Sequence, residues 1–413
     1  MKFTNFKPVP QTGVIYVMQE AAKLGYKQGS QDWSNLGQGA PETGSLPGSP
    51  ERLSQIEVTV DTSEYSPVAG SWELRDAVAQ LYNKRYRKGK STQYSAENVA
   101  IASGGRTALT RIVATLGNIN LGHFLPDYTA YEELLEVYRS IVPIPITLSH
   151  KTEFQISIDQ LEEEIIGKGL GAVLISNPCN PTGHVINGET LNRWTSTTSR
   201  LQCALIIDEF YSHYIYSGNT ANTVSAAEFV EDIESEPVVI LDGLTKNWRY
   251  PGLRLSWTLG PKEIINRVAS AGSFLDGGPA HPIQSAALRL VNFETATKEA
   301  KSIQEMFSKK RSFLLESLKK LKIEMVNTPE GGFYAFPNLS QMPEKLRDGM
   351  TFFHEALKHN VIVVPGEFFD VDPGNRRDHI PSRLKNYIRV SFGPSMQELE
   401  RGMNSIKSLI QSF

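Results

Sequence analysis

Leu241 to Trp257 reads LDGLTKNWRYPGLRLSW, and the fold follows from how this stretch is interpreted. The apolar run VVIL at 238–241 feeds a short turn that delivers Lys246, and Arg254 stands eight residues further on, ahead of a second apolar run. Pulling an ammonium group from water is costly unless it is paired or has work to do. A lysine that desolvates easily has a depressed pKa and can act as an amine nucleophile, which Schiff-base chemistry needs. Taken alone, a plainer reading wins, because most lysines beside turns are solvated and idle. The rest of the chain supplies the partners that change this.

Upstream, short apolar strands alternate with helical patterns. Residues 13–26, GVIYVMQEAAKLGY, carry apolar positions at helical spacing and stop at Gly25. A Gly- and Pro-rich loop follows, LGQGAPETGSLPGSP at 36–50, where backbone can approach another group closely. EYSPVAGSWELRDAVAQLYNKRY at 64–86 reads as a loop entering a long amphipathic helix. VAIAS (99–103) is a short strand that runs into Gly104, Gly105 and Arg106 and then the helix RTALTRIVATL. Strand, paired glycines and helix start together make an anion cradle of free N–H groups and a favourable dipole, here with a guanidinium added.

The alternation continues. GHFLP (122–126) leads to Tyr128 and the helix TAYEELLEVYRS; after IVPIPIT comes a helical IDQLEEEII and the strand AVLIS at 172–176. That strand ends in NPCNPTG (177–183), too rich in proline to be helix. A helix over roughly 188–199 precedes CALIIDEFY (203–211), a buried strand with Asp208 at its carboxyl end. This pattern predicts an α/β protein with a mostly parallel sheet covered by helices on both faces. In such sheets ligands collect at the carboxyl ends of the strands. Gly104, Asn180, Asp208 and Lys246 all follow strand ends and are expected to share one cleft. Beyond about residue 295 the texture changes to a long charged helix (roughly 294–321), PEGGFYAFPNL, VIVVPG and YIRVSFGPS, which predicts a smaller α+β domain. The expected division is a large domain over 46–294 and a small one formed by 1–45 with 295–413.

Composition limits the partners. The 413 residues carry 42 Lys+Arg against 45 Asp+Glu, a net charge of −3, which argues against nucleic acid or an anionic membrane as the main partner. No apolar run approaches a membrane span, and MKFTNFKPVPQTG lacks the apolar core of a signal peptide. Cys179 and Cys203 cannot make a disulfide framework and lack zinc-site spacing, so no metal is expected and the protein is expected to be cytoplasmic.

Taken in order, Tyr65, Gly104-Gly105-Arg106, Tyr128, NPCNPTG, Asp208 with Tyr211, Thr245-Lys246, Arg254 and Arg389 resemble the motifs of fold-type I pyridoxal-phosphate enzymes, specifically class I/II aminotransferases. The resemblance runs from GQGAP to YIRVSFG. It implies a large domain built on a mostly parallel seven-stranded sheet sandwiched by helices. It also implies a pyridoxal 5′-phosphate cofactor and amino transfer between an α-amino acid and a 2-oxo acid. Lys246 would hold the cofactor as a Schiff base and then move a proton, and Asp208 would sit under the pyridine nitrogen. Asn180 and Tyr211 would bond the ring's phenolic oxygen, and Tyr128 would stack on the ring. The phosphate would rest on the amides of Gly104, Gly105 and Arg106, with Thr245 and Arg254 completing the cup. Where the family usually has a second hydroxyl, three residues before the lysine, this chain has Gly243. Tyr65, in YSPVAG, matches a tyrosine that reaches the neighbouring subunit's cofactor phosphate, which implies a homodimer with shared active sites. Arg389 matches the arginine that forks onto the substrate α-carboxylate, assisted by Asn180 and the backbone near Gly39.

The same constellation also serves C–S β-lyases, which would release pyruvate from cystathionine without an amino acceptor, so that activity is the alternative. A ligand-sensing half of a transcriptional regulator would carry a basic winged helix-turn-helix ahead of the domain, and fewer than forty residues precede GQGAP. The side-chain pocket rests on the loop SFLDGGPAHPIQ. In aspartate-aminotransferase-like members an arginine six residues before the proline, contributed by the partner subunit, binds the substrate's second carboxylate, and here Asp276 stands six before Pro282. Two readings follow. Asp276 faces the substrate and disfavours acidic side chains, or it is a turn residue before Gly277-Gly278. The insertion PGNRRDHIPSR at 373–383 brings arginines that could restore anion binding.

Overall fold

The computed structural model describes residues 13–138 and 140–413 together with Asn5 and Val9, so the rest of MKFTNFKPVPQT lies outside the described residues. Seven strands form the central sheet: β1 (Val99–Ala102), β2 (Ile119–Leu125), β3 (Ile141–Thr147), β4 (Leu170–Ser176), β5 (Ala204–Asp208), β6 (Val238–Gly243) and β7 (Ser256–Leu259). Their spatial order is β1-β7-β6-β5-β4-β2-β3, parallel throughout except for β7, which runs antiparallel to both its neighbours.

The strand sequences are apolar at almost every position because both faces of the sheet are covered. Alternate residues point to opposite faces. Ala172, Leu174, Ile206, Val239 and Leu241 enter one core cluster, while Val173, Ile175, Leu205, Ile207, Val238 and Ile240 enter another. The carboxyl ends of β4, β5 and β6 carry Ser176, Asp208 and Gly243.

One strand differs from the sequence reading. IVPIPIT was not assigned as sheet, yet Ile141–Thr147 is β3. Its two prolines are tolerated because β3 pairs only with β2 and forms the edge, where missing donors face away from the ladder. The first cluster extends beyond the sheet into the C-terminal region through Phe307, Leu314 and the run Val361–Val364. There Ser34–Asn35 pairs in parallel with Val361–Ile362, and Ile388–Ser391 lies between Tyr334–Ala335 and Val364–Pro365. A 28-residue helix, Phe293–Lys320, starts behind an Asn292 cap and spans the two regions. No helix among the described residues is long and apolar enough to cross a membrane.

That long helix is tied to the lysine turn by a buried ion pair. Arg249 Nε donates to Glu299 Oε1 at 2.7 Å, with side-chain exposures of 0% and 2%. Removing one partner strands the other charge, which typically costs about 3–5 kcal/mol. Glu299→Ala is therefore expected to lower the unfolding free energy by an amount of that order, read as a lower chemical-denaturation midpoint. An unchanged midpoint would show that the carbonyls also bonded by Arg249 suffice to hold it.

Candidate active site

The strand ends converge as expected. One cleft of about 420 Å³ is lined by Gly39, Gly105, Arg106, Tyr128, Asn180, Asp208, Tyr211, Thr245, Lys246, Arg254 and Arg389. Gly104 lies just behind, where any Cβ would collide with the Arg254 guanidinium. Tyr65 alone among the sequence-predicted residues stays outside; it is 97% exposed.

Lys246 sits on the turn after β6, its carbonyl taking bonds from Tyr214 Oη at 3.0 Å and from the N–H of Arg249 at 2.9 Å. The next residue, Asn247, is buried and donates to the Glu209 carbonyl, Ser212 Oγ and Asp242 Oδ1, which fixes the turn. Lys246 Nζ points into the cleft and donates to the carbonyl of Gly39. Burial, reinforced by Arg389, Arg254 and Arg106, brings its pKa down to about 7, against a smaller opposing pull from Asp208. The amine is thus close to half neutral at neutral pH, which a nucleophilic lysine needs.

Asp208 is pushed up to about 6, mainly by burial. Its oxygens accept from Tyr131 Oη at 3.0 Å and from the N–H of Phe210 at 3.2 Å. Tyr131 escaped the sequence reading, which took only Tyr128 from YTAY. A clue was present: one helical turn brings the two tyrosines together, and their rings meet edge to face at 5.5 Å. Tyr211 Oη lies 2.8 Å from Tyr334 Oη, and Tyr334 was likewise passed over inside PEGGFYAFPNL.

Arg389 is 1% exposed and has only neutral partners among the described residues. It donates to Asn180 Oδ1 at 2.9 Å and to the Gly37 carbonyl at 2.6 Å, and it stacks on the Tyr334 ring at 4.2 Å. Its Nε has no partner. A buried guanidinium without a carboxylate is an unmet demand for one. Asn180 in turn anchors its N–H on Ser176 Oγ at 3.2 Å, and that hydroxyl bonds the buried Asp127.

The structure bears on both features expected to shape the side-chain pocket. Asp276 is absent from the lining of this chain's own cleft and is already engaged by Arg111. It forms the C-cap of Lys262–Leu275, accepts from Nε and Nη2 of the buried Arg111 guanidinium and accepts the Gly278 N–H at 2.9 Å. The turn reading holds, and the argument that Asp276 repels acidic substrates lapses because the carboxylate is already paired. The arginines of 373–383 do not line the cleft either. Arg377 pairs with Asp370 at 2.8 Å and Asp372 at 3.4 Å.

A parallel-sheet cleft holding one desolvated lysine, a carboxylate and several uncompensated guanidiniums defines an enzyme that handles amino and carboxylate groups on an anionic cofactor. Family comparison agrees: the profile described as aminotransferase class I and II matches residues 31–406, and the chain belongs to that family. Among relatives, the aspartate aminotransferase of Sulfurisphaera tokodaii is 26% identical over 84% of this chain and 82% of its own length. A probable aspartate/prephenate aminotransferase of Aquifex aeolicus is 26% identical over 85% and 84%. In fold, the chain is similar to the Thermus thermophilus aspartate aminotransferase crystallised with maleate, at a TM-score of 0.78 and 22% identity over 98% and 97%. The protein is a pyridoxal-phosphate-dependent aminotransferase, and the lyase alternative gives way.

The cleft fits the cofactor's phosphate. Thr245 Oγ1 is buried without a partner. The helix Gly105–Thr115 has no side-chain cap at its N-terminus, and Arg254 donates only to the Pro251 carbonyl, at 3.0 Å. A hydroxyl in place of Gly243 has no room, since a Cβ there would strike the Leu255 carbonyl and Ser256. Because the free lysine's pKa lies near 7, cofactor uptake by the cofactor-free protein is expected to speed up as pH rises from 6 to 8 and to level off above. Stopped-flow absorbance measures this; a rate still climbing toward pH 10 would mean the amine is not desolvated. Lys246→Ala is expected to abolish turnover and borohydride-fixed labelling.

Proposed function

We propose that the amino transfer is carried by Lys246, Asp208 and Arg389, on the strength of one observation above all: a desolvated amine and a carboxylate-free buried arginine share one cleft. What the cofactor supplies when bound is an aldehyde and an electron-withdrawing ring. Arg389 takes the α-carboxylate of the amino acid in a bidentate grip, with Asn180 and the backbone at Gly39 beside it. This orients the substrate's Cα toward Lys246. Lys246, as a neutral amine, would accept the Cα proton and pass it to the carbon that carried the cofactor's aldehyde, acting as base and then as acid. Asp208, steadied by Tyr131, holds the proton at the ring nitrogen. Tyr211, with Asn180 alongside, would donate a hydrogen bond to the ring's phenolic oxygen, and Tyr128 would stack on the ring. Gly104, Gly105, Arg106, Thr245 and Arg254 bind the phosphate.

The working unit in this reading is a homodimer, with Tyr65 of each chain serving the partner's phosphate; its near-complete exposure in the single chain supports this. The division into a large domain, 46–294, and a small one, 1–45 with 295–413, is supported by the pairing of Ser34–Asn35 with Val361–Ile362. We assign the protein to the cytoplasm, where its unpaired cysteines would stay reduced.

Adding an amino acid alone is expected to convert the cofactor's visible band in one half-turnover, and a 2-oxo acid to restore it. Steady release of pyruvate and thiol from cystathionine without an acceptor would favour the lyase. Arg389→Lys loses the fork and is expected to raise KM by roughly tenfold to a hundredfold, as for a charge-assisted hydrogen bond. Sedimentation is expected to show a dimer, and Tyr65→Ala to weaken cofactor binding by roughly tenfold or more. A fully active monomer would contradict the shared site.

A further inference from the structure

Tyr334 is fully buried, on a short strand that pairs antiparallel with the one carrying Arg389. Its register partner is Ser391, two residues from Arg389, so both side chains emerge on the same face of the ladder. Arg389 stacks over its ring at 4.2 Å, and its hydroxyl lies 2.8 Å from that of Tyr211. Gly39 lies beside that hydroxyl, and a Cβ there would come within 2.9 Å of it. The Gly39 carbonyl is already taken by Lys246 Nζ. Arg389 and Tyr128 are the charged and titratable groups that act on the pair, and Lys246, Asp208 and Arg106 line the same cleft.

Each phenol has one proton to give and an oxygen that can accept. Within the pair either could donate. Binding of the cofactor removes that freedom, because Tyr211 then spends its proton on the ring oxygen. We infer that Tyr334 is a positioning residue whose hydroxyl donates to Tyr211 in the loaded enzyme, making Tyr211 a stronger donor to the ring oxygen while its aromatic face holds Arg389. This rests on the reading of Tyr211 given above. The physical basis is cooperativity: a hydroxyl that accepts a hydrogen bond polarises and donates more strongly. Tyr334 is fully buried, and the Arg389 guanidinium stacked on its ring favours polarisation of its O–H toward donation. One residue thereby links the group that grips the substrate carboxylate to the group that tunes the cofactor.

The test is a pH titration of the bound cofactor's visible band in holoenzyme, compared among wild type, Tyr211→Phe, Tyr334→Phe and the double variant. Tyr211→Phe is expected to move the transition to higher pH. Tyr334→Phe is expected to move it the same way by less, roughly half a pH unit, and to add nothing in the Tyr211→Phe background. Tyr334→Phe keeps the ring under Arg389 and is expected to leave KM for the amino acid unchanged, whereas Tyr334→Leu raises it several-fold. A band that responds to Tyr211→Phe but not to Tyr334→Phe, or that moves to lower pH in Tyr334→Phe, overturns the inference while Tyr211 keeps its role. A band indifferent to Tyr211→Phe removes both. Equal rises in KM for the Phe and Leu variants, without a band shift, would place the hydroxyl on the substrate and overturn the inference as well.

Discussion

An amine held among guanidiniums is the constraint on which the rest of this structure depends. Lys246 shares its cleft with Arg106, Arg254 and Arg389, and with a single carboxylate, Asp208. Like charges gathered out of water oppose folding unless something offsets them. Within the chain the offset comes from neutral dipoles. The carbonyl of Gly37 receives Arg389 and that of Gly39 receives Lys246, so one short loop answers two cations. What remains is a demand for anions, which a phosphate and a carboxylate satisfy on binding. A ligand that meets that demand stabilises the folded state by mass action as well as reacting there.

Such a site needs rigid support, and the support is buried and polar. Arg249 sits three residues past the lysine, in the left-handed region at φ 56°. Its guanidinium spans the carbonyls of Glu42 and Gly44 and the carboxylate of Glu299. It thereby joins the lysine turn, the loop that supplies Gly37 and Gly39, and the long C-terminal helix. Lys310, further along that helix, closes the circuit through Glu42 and the Pro394 carbonyl at 2.6 Å, just past the strand of Arg389. The lysine and the arginine on opposite sides of the cleft are therefore referred to one frame. Displacing either means opening a buried ion pair.

Some of this was legible in the chain and some was not. Runs such as AVLIS and VVIL declare themselves because a strand buried on both faces has to be apolar throughout. Lys246, Asp208, Asn180 and Arg389 were findable because each is a polar residue where an apolar strand ends or in an apolar strand itself. Tyr131 and Tyr334 offered no such contrast. An aromatic in an aromatic-rich stretch such as GGFYAF reads as core, and only the partner across the fold shows what its hydroxyl meets. Asp276 was ambiguous for a related reason: its partner, Arg111, lies 165 positions away, and nothing local distinguishes a paired carboxylate from a free one. IVPIPIT went unassigned, and only sheet topology shows that its two prolines lie on an edge strand.

By itself, then, the sequence determined the layered α/β architecture and the order of the polar motifs at its strand ends. These follow from periodicity, from proline and glycine, and from the cost of burying charge, all of which act over short stretches. Tertiary structure alone decided which polar groups are already spoken for. It paired Asp276 with Arg111 and Arg377 with Asp370, left Arg389 and Thr245 Oγ1 without an anion, and set Tyr334 between the two halves of the site. Whether a charge or hydroxyl is spent or available depends on distances between residues far apart in the chain, and no local pattern carries that information.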